Sequence, residues 1–157
     1  MYEIFADLHV HIGRSENGKP IKITAARSLN FANIAKECEE RKGINVVGII
    51  DCASPYVIED IEKFLKTGDA YELKDGGIIY KDKVCILLGS EVETSEVSRN
   101  GKKGSAHNLC FFPHLSDIFL YTVHHFVLSF FSLRLIIHVT SITPINAPQL
   151  SINTSRT

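Results

Sequence analysis

The chain reads as an α/β fold built on a largely parallel sheet or barrel. Three observations predict this. Residues 44–50, Ile-Asn-Val-Val-Gly-Ile-Ile, are nearly continuous and β-branched, the pattern of a strand covered on both faces. Apolar residues recur at helical spacing before and after it. Strand, helix, strand, helix in succession implies right-handed crossovers and a parallel arrangement. At 157 residues, 45% hydrophobic and 22% charged, the chain has the size and composition of one soluble domain with a core. A formal net charge of -1 gives no global signal for nucleic acid, so any such contact must come from a local basic patch.

Residues 3–10 form the first predicted strand, which runs into Ile12-Gly13-Arg14. Asp7, His9 and His11 alternate, so an uninterrupted strand places all three on one face and Leu8, Val10 and Ile12 on the other. Residues 13–23 read as a loop carrying Arg14, Lys19 and Lys22, either solvated or placed to hold a phosphate. Asn30 is a candidate N-cap for a helix over 31–42, with Phe31, Ile34, Ala35 and Cys38 on its apolar face and Gly43 ending it. After the strand at 44–50, Pro55 opens a second helix through Val57, Ile58, Ile61, Phe64 and Leu65, ended by Gly68. Lys74-Asp75-Gly76-Gly77 is a turn, read with Ile78-Ile79-Tyr80 as a small hairpin decorating the fold. Val84–Gly89 is a buried strand extended by Ser90–Glu93. Residues 94–104 read as a basic, flexible loop, and 106–112 as one more strand with His107 at its start.

Ligand-type side chains gather at the predicted strand ends. His-x-His at 9–11 offers two imidazoles, which suit zinc, manganese or iron, though a motif this short also fits two structural histidines. Asp51 ends the second strand, where it serves either a site or the cap of the next turn. Glu91 and Glu93 share a face, which suits either a bound cation or a solvated edge. With His107, four strand ends carry such residues, a set that suits a hydrolytic metal centre. The cysteines, Cys38, Cys52, Cys85 and Cys110, are widely spaced with no CxxC pair. This argues against a thiolate zinc site and for buried thiols in a reducing cytoplasm. The N-terminus lacks a basic n-region and a long apolar run, so no signal peptide is expected.

The stretches Ala6-Asp7-Leu8-His9-Val10-His11, Gly48-Ile49-Ile50-Asp51-Cys52, Leu88-Gly89-Ser90-Glu91-Val92-Glu93 and His107-Asn108-Leu109 resemble the PHP (polymerase and histidinol phosphatase) superfamily. More narrowly, they resemble its endonuclease Q-like subgroup. The resemblance covers about residues 3–113. It implies a partial distorted β/α barrel, with divalent metals such as zinc or manganese at the strand C-termini. It implies His9, His11, Asp51, Glu91 and His107 as the metal-holding and catalytic residues. His9 and His11 fall on one metal, Glu91 is a bridging carboxylate, His107 serves a further metal, and Asp51 is a ligand or supports one. Glu93 is a weaker supporting candidate. The implied partner is DNA, nicked on the 5′ side of deaminated bases, and no protein partner is implied. Ala53 stands where relatives often carry histidine, and the family's later Asp-x-His motif does not occur. Three functions therefore stay open: a truncated endonuclease-like repair protein, a phosphoesterase acting on a small phosphorylated molecule, and a non-catalytic fragment.

Composition changes near residue 113, which divides a partial catalytic domain over 1–113 from a divergent tail over 114–157. Beyond His114, Asp117 is the only side-chain carboxylate, lysine is absent, and Arg134 and Arg156 are the only fixed cations. The run over 118–139 is long enough to span a bilayer, but His124, His125 and Arg134 make that costly. The leading expectation is an interrupted or frame-shifted gene, with a membrane-associated tail and a genuine folded extension as the alternatives. Its tail should be poorly ordered or form a helix around 118–138.

Overall fold

The computed structural model describes residues 3–97 and 100–130. Within them the fold is mixed α/β, with one six-stranded sheet and three α-helices. Strand β1 (Ala6–Val10) pairs parallel with β2 (Val46–Ile49), which pairs parallel with β5 (Val84–Val97). The remaining pairings are antiparallel: β5 with β4 (Ile78–Tyr80), β4 with β3 (Ala70–Glu72), and β5 with β6 (Lys103–Phe112). The sheet is therefore parallel at β1, β2 and β5 and antiparallel beyond.

Helix α1 (Phe31–Glu37) starts at Asn30, whose side chain accepts from Asn33 N at 2.8 Å. It does not continue as one α-helix to residue 42. Cys38–Lys42 is a π-helical turn, closed by Gly43 at φ 63°. Helix α2 (Pro55–Lys66) carries proline in its first turn, where a missing N–H costs nothing. Val57, Ile61 and Phe64 form its buried face. Phe31 is fully buried against Phe64 at 5.3 Å between ring centroids, and Phe64 meets Tyr80 at 5.2 Å.

Pairing of Val47 with Ile86 and of Ile49 with Leu88 puts four fully buried side chains on one face. Helix α3 (Leu115–Phe130) joins the same core through Ile118, which is fully buried although it lies past the change in composition at 113. The expected tail helix thus begins at Leu115, and residues 131–157 lie outside the described part. Among the described residues no helix is long and apolar enough to cross a membrane.

Two expectations change along β5 and β6. The β3–β4 hairpin is an integral part of the sheet rather than a decoration, because Ile78–Tyr80 pairs with Val84–Ile86. The expected flexible loop at 94–104 is largely strand: β5 runs on to Val97 and β6 begins at Lys103. The facing N–H and C=O groups of the two arms pair with each other across an antiparallel ladder, where a loop would leave them to water. His107 consequently lies in mid-strand, opposite Glu93.

Candidate metal centre

Three strand ends are tied together by backbone hydrogen bonds. Ile50 N–H donates to Val10 O at 3.1 Å, Glu91 N–H to Ile50 O at 3.2 Å, and Cys52 N–H to Gly89 O at 3.0 Å. This brings the segment after β1, the segment after β2 and the middle of β5 to one place. It is the C-terminal end of the parallel strands, where open α/β sheets hold their ligands.

His9, His11 and Glu91 meet there. One donor atom from each lies within 4.8 Å of the others. Glu91 Oε1 is 3.7 Å from His9 Nε2, and Oε2 is 3.7 Å from His11 Nε2. Asp51 is not in this trio but fixes one member of it. Its Oδ2 is 3.0 Å from His11 Nδ1 and also accepts from Ile12 N at 2.7 Å. A proton on Nδ1 shared with that carboxylate leaves Nε2 as the free lone pair facing Glu91. The side chain of Asp51 therefore faces the cluster, and Ser54 takes the N-cap position of α2.

His107 acts on Glu91 in a similar way, with Nδ1 2.9 Å from Oε1. Lys22 Nζ donates to the other carboxylate oxygen at 3.3 Å. Burial pushes the Glu91 carboxyl up, but the hydrogen bonds from Lys22 and His107 outweigh it and hold the group below the ordinary glutamate range. Glu91 is the convergence point of the site, and its side chain is only 15% exposed. Glu93 is exposed and stands one rung outward.

Asp7 departs from the sequence expectation. The register shifts between Asp7 and Val10, so strict alternation fails between Asp7 and the histidines. Asp7 instead lines a cavity of about 600 Å³ beside α1, together with Val10, Ile34 and Cys38, and is not among the clustered donors. Its Oδ1 accepts from His9 N at 3.2 Å. The cysteines are all free. Burial pushes the Cys52 thiol up to about 12 and also raises Cys38, so both are neutral thiols at pH 7 and poor ligands.

Sequence reasoning named Lys22 only as one of several loop cations. The signal that places it is Asn17-Gly18, a turn dipeptide that folds the loop back on itself.

The donor set fits a divalent transition metal. Two imidazoles and one carboxylate leave coordination positions open, and such sets accept zinc, manganese or iron. Bound there, a divalent ion supplies Lewis-acid polarisation of an oxyanion substrate and activation of water. The chain's own parts are then distinct: His11 is held by Asp51, Glu91 is braced by His107 and Lys22, and His9 is the more open ligand, about half exposed.

Over 118 residues the chain is 44% identical to the uncharacterized protein YqxK of Bacillus subtilis (strain 168), a match covering 75% of this chain and 30% of that protein. The chain therefore spans less than a third of that relative's length. No protein-family model matches the chain, and no solved structure matches it.

Proposed function

We propose that this chain carries the first part of a metal-dependent phosphodiester hydrolase of the PHP superfamily, similar to the endonuclease Q-like enzymes that nick DNA at deaminated bases. The convergence of His9, His11 and Glu91 within 4.8 Å carries this reading. Its support is chemical. The donors come from two segments far apart in sequence, one carrying His9 and His11 and the other Glu91, and two of the three are held by a neighbouring side chain. Asp51 fixes the tautomer of His11, and His107 restrains Glu91. Such outer partners are what metal-binding histidines and carboxylates use.

The three helices share one core with the sheet, and a barrel would close by adding further strands to the sheet's open edges. In this reading, further strands and the remaining ligands come from sequence beyond the matched third of the relative. The chain alone holds a metal more weakly than a complete barrel, and it nicks DNA containing deoxyuridine or deoxyinosine little or not at all. Elemental analysis after zinc or manganese loading, of wild type and of His11→Ala, tests the metal. Metal uptake that is the same in both would refute the site. Nicking assays on the chain extended by the remaining segments test the substrate. Hydrolysis of a small phosphate ester with no action on such DNA would favour the phosphoesterase alternative.

A further inference from the structure

Residues 13–23, in the loop after β1, carry three cations, and the fold aims one of them at the cluster. Asn17-Gly18 reverses the chain, with Gly18 at φ 77°, and Arg14 and Pro20 pair antiparallel across the reversal. Residue 22 thereby returns to the end of β1. Lys22 N–H donates to Ile12 O and Ile21 N–H to Gly13 O, both at 3.0 Å. Gly13 makes the tight approach workable, since a Cβ there would sit 2.0 Å from Ala26 O. Arg14 turns back into its own loop, with Nη1 donating to Gly18 O at 3.4 Å. Lys22 instead rests on Glu91, 3.3 Å from the oxygen that faces His11 Nε2, and its side chain is 41% exposed.

We propose that Lys22 binds a phosphoryl oxygen of the substrate, and that its ion pair with Glu91 competes with metal ligation by the same carboxylate. The proposal rests on the metal-dependent reading above. The backbone of Lys22 is pinned while its four-carbon stem is free to swing, so the ammonium moves without moving the loop. A carboxylate shared by an ammonium and a divalent cation binds each less well, because the two cations repel. An ammonium released from Glu91 at this place is a mobile point charge beside the metal ligands, which suits an oxyanion. A lysine that served only as a strut for Glu91 would behave oppositely: its loss would disorder the carboxylate and weaken the metal.

The test compares the full 157-residue wild-type chain with Lys22→Met and Lys22→Arg. Zinc affinity is read by chelator competition, and inorganic phosphate binding to the zinc-loaded protein by calorimetry. Lys22→Met should bind zinc several-fold more tightly. It should bind phosphate roughly tenfold to a hundredfold more weakly, the loss expected for one charge-assisted hydrogen bond. Lys22→Arg should retain most of the phosphate affinity. Unchanged phosphate binding, or weaker zinc binding, in Lys22→Met overturns the proposal and leaves the metal reading intact. A wild-type chain that takes up no zinc overturns both.

Discussion

On one face of the sheet Val47, Ile49, Ile86 and Leu88 disappear beneath the helices; on the other, Leu8 and Phe111 remain 44% and 39% exposed, and the cluster of His9, His11 and Glu91 lies at the strands' C-terminal end. The covered face is built from many small, non-directional contacts among branched side chains and rings. The cluster is built from a few directional ones, each with a single donor and acceptor. Stability and chemistry should therefore separate. Substitutions under the helices should change how firmly the chain folds, and substitutions at the strand ends should change what it binds.

The largest effect belongs to the covered face. Phe31→Ala removes a fully buried ring packed against Phe64 and should cost about 3–5 kcal/mol. Urea titration measures this, and the fraction still folded should keep the zinc affinity of wild type. Affinity lost in step with stability would show that the two faces are one unit. Next is the boundary between the faces. Phe111 lies across Gly48 and Gly89, and a Cβ on Gly48 would meet Leu8 O at 2.7 Å and the Phe111 ring at 2.8 Å. Gly48→Ala must therefore shift backbone as well as the ring, at a cost of roughly 1–3 kcal/mol. Gly89→Ala has a milder conflict, 3.1 Å to the ring and to Ile50, and should cost less. Equal losses by urea titration would mean that β1 yields as readily as a side chain.

The same contrast explains what was legible in the sequence. Helical periodicity picked out Phe31, Ile34, Val57, Ile61 and Phe64, because burial against a flat sheet repeats with the helix turn. Asn30, Pro55 and Gly43 marked helix ends through local chemistry alone. The candidate site was legible as residue types: His9, His11 and Glu91 converge, and Asp51 and His107 touch members of that trio, although Glu91 and His107 lie within strands rather than at their ends. What stayed hidden depends on pairing between distant segments. The irregularity between Asp7 and Val10 shows only in the register with β2. The extension of β5 to Val97 depends on β6 lying beside it, since Ser95, Glu96 and Gly104 give no strand signal by themselves. Lys22 was indistinguishable from Arg14 and Lys19 until the Asn17-Gly18 reversal fixed which one reaches Glu91.

A smaller and more selective effect should follow Asp51→Asn. The amide can still accept from Ile12 N, but it no longer draws the His11 Nδ1 proton as a carboxylate does. Metal affinity should fall about 10- to 100-fold, as for other outer-shell changes, with stability nearly unchanged. Chelator competition and urea titration on one preparation measure both. A stability loss as large as that of Phe31→Ala would make Asp51 a structural residue instead.

The smallest effect tests whether the covered face tolerates a charge. Asp60 sits on α2 with no exposed surface; Oδ2 accepts from Glu16 N at 2.8 Å, and Oδ1 has no partner among the described residues. Burial pushes its carboxyl up, against the hydrogen bond from Glu16 and the charge of Lys63. A folded-state value above the unfolded one means that the folded chain holds the proton more tightly. Asp60 therefore penalises the fold once ionised, and the penalty fades as pH falls through the raised value toward the unfolded value of about 3.9. Asn at this position keeps an acceptor for Glu16 N and carries no charge. Asp60→Asn should thus be more stable than wild type at pH 7 by roughly 1 kcal/mol, the lower end of the cost of an unpaired buried polar group. That advantage should shrink toward pH 4, while other acid-sensitive groups cancel in the comparison. Urea midpoints of the two chains across this range give the result. A constant difference at all pH values, or a less stable variant at pH 7, would mean that the Asp60 carboxylate is supported where it lies and that the helix-covered face holds a paired charge after all.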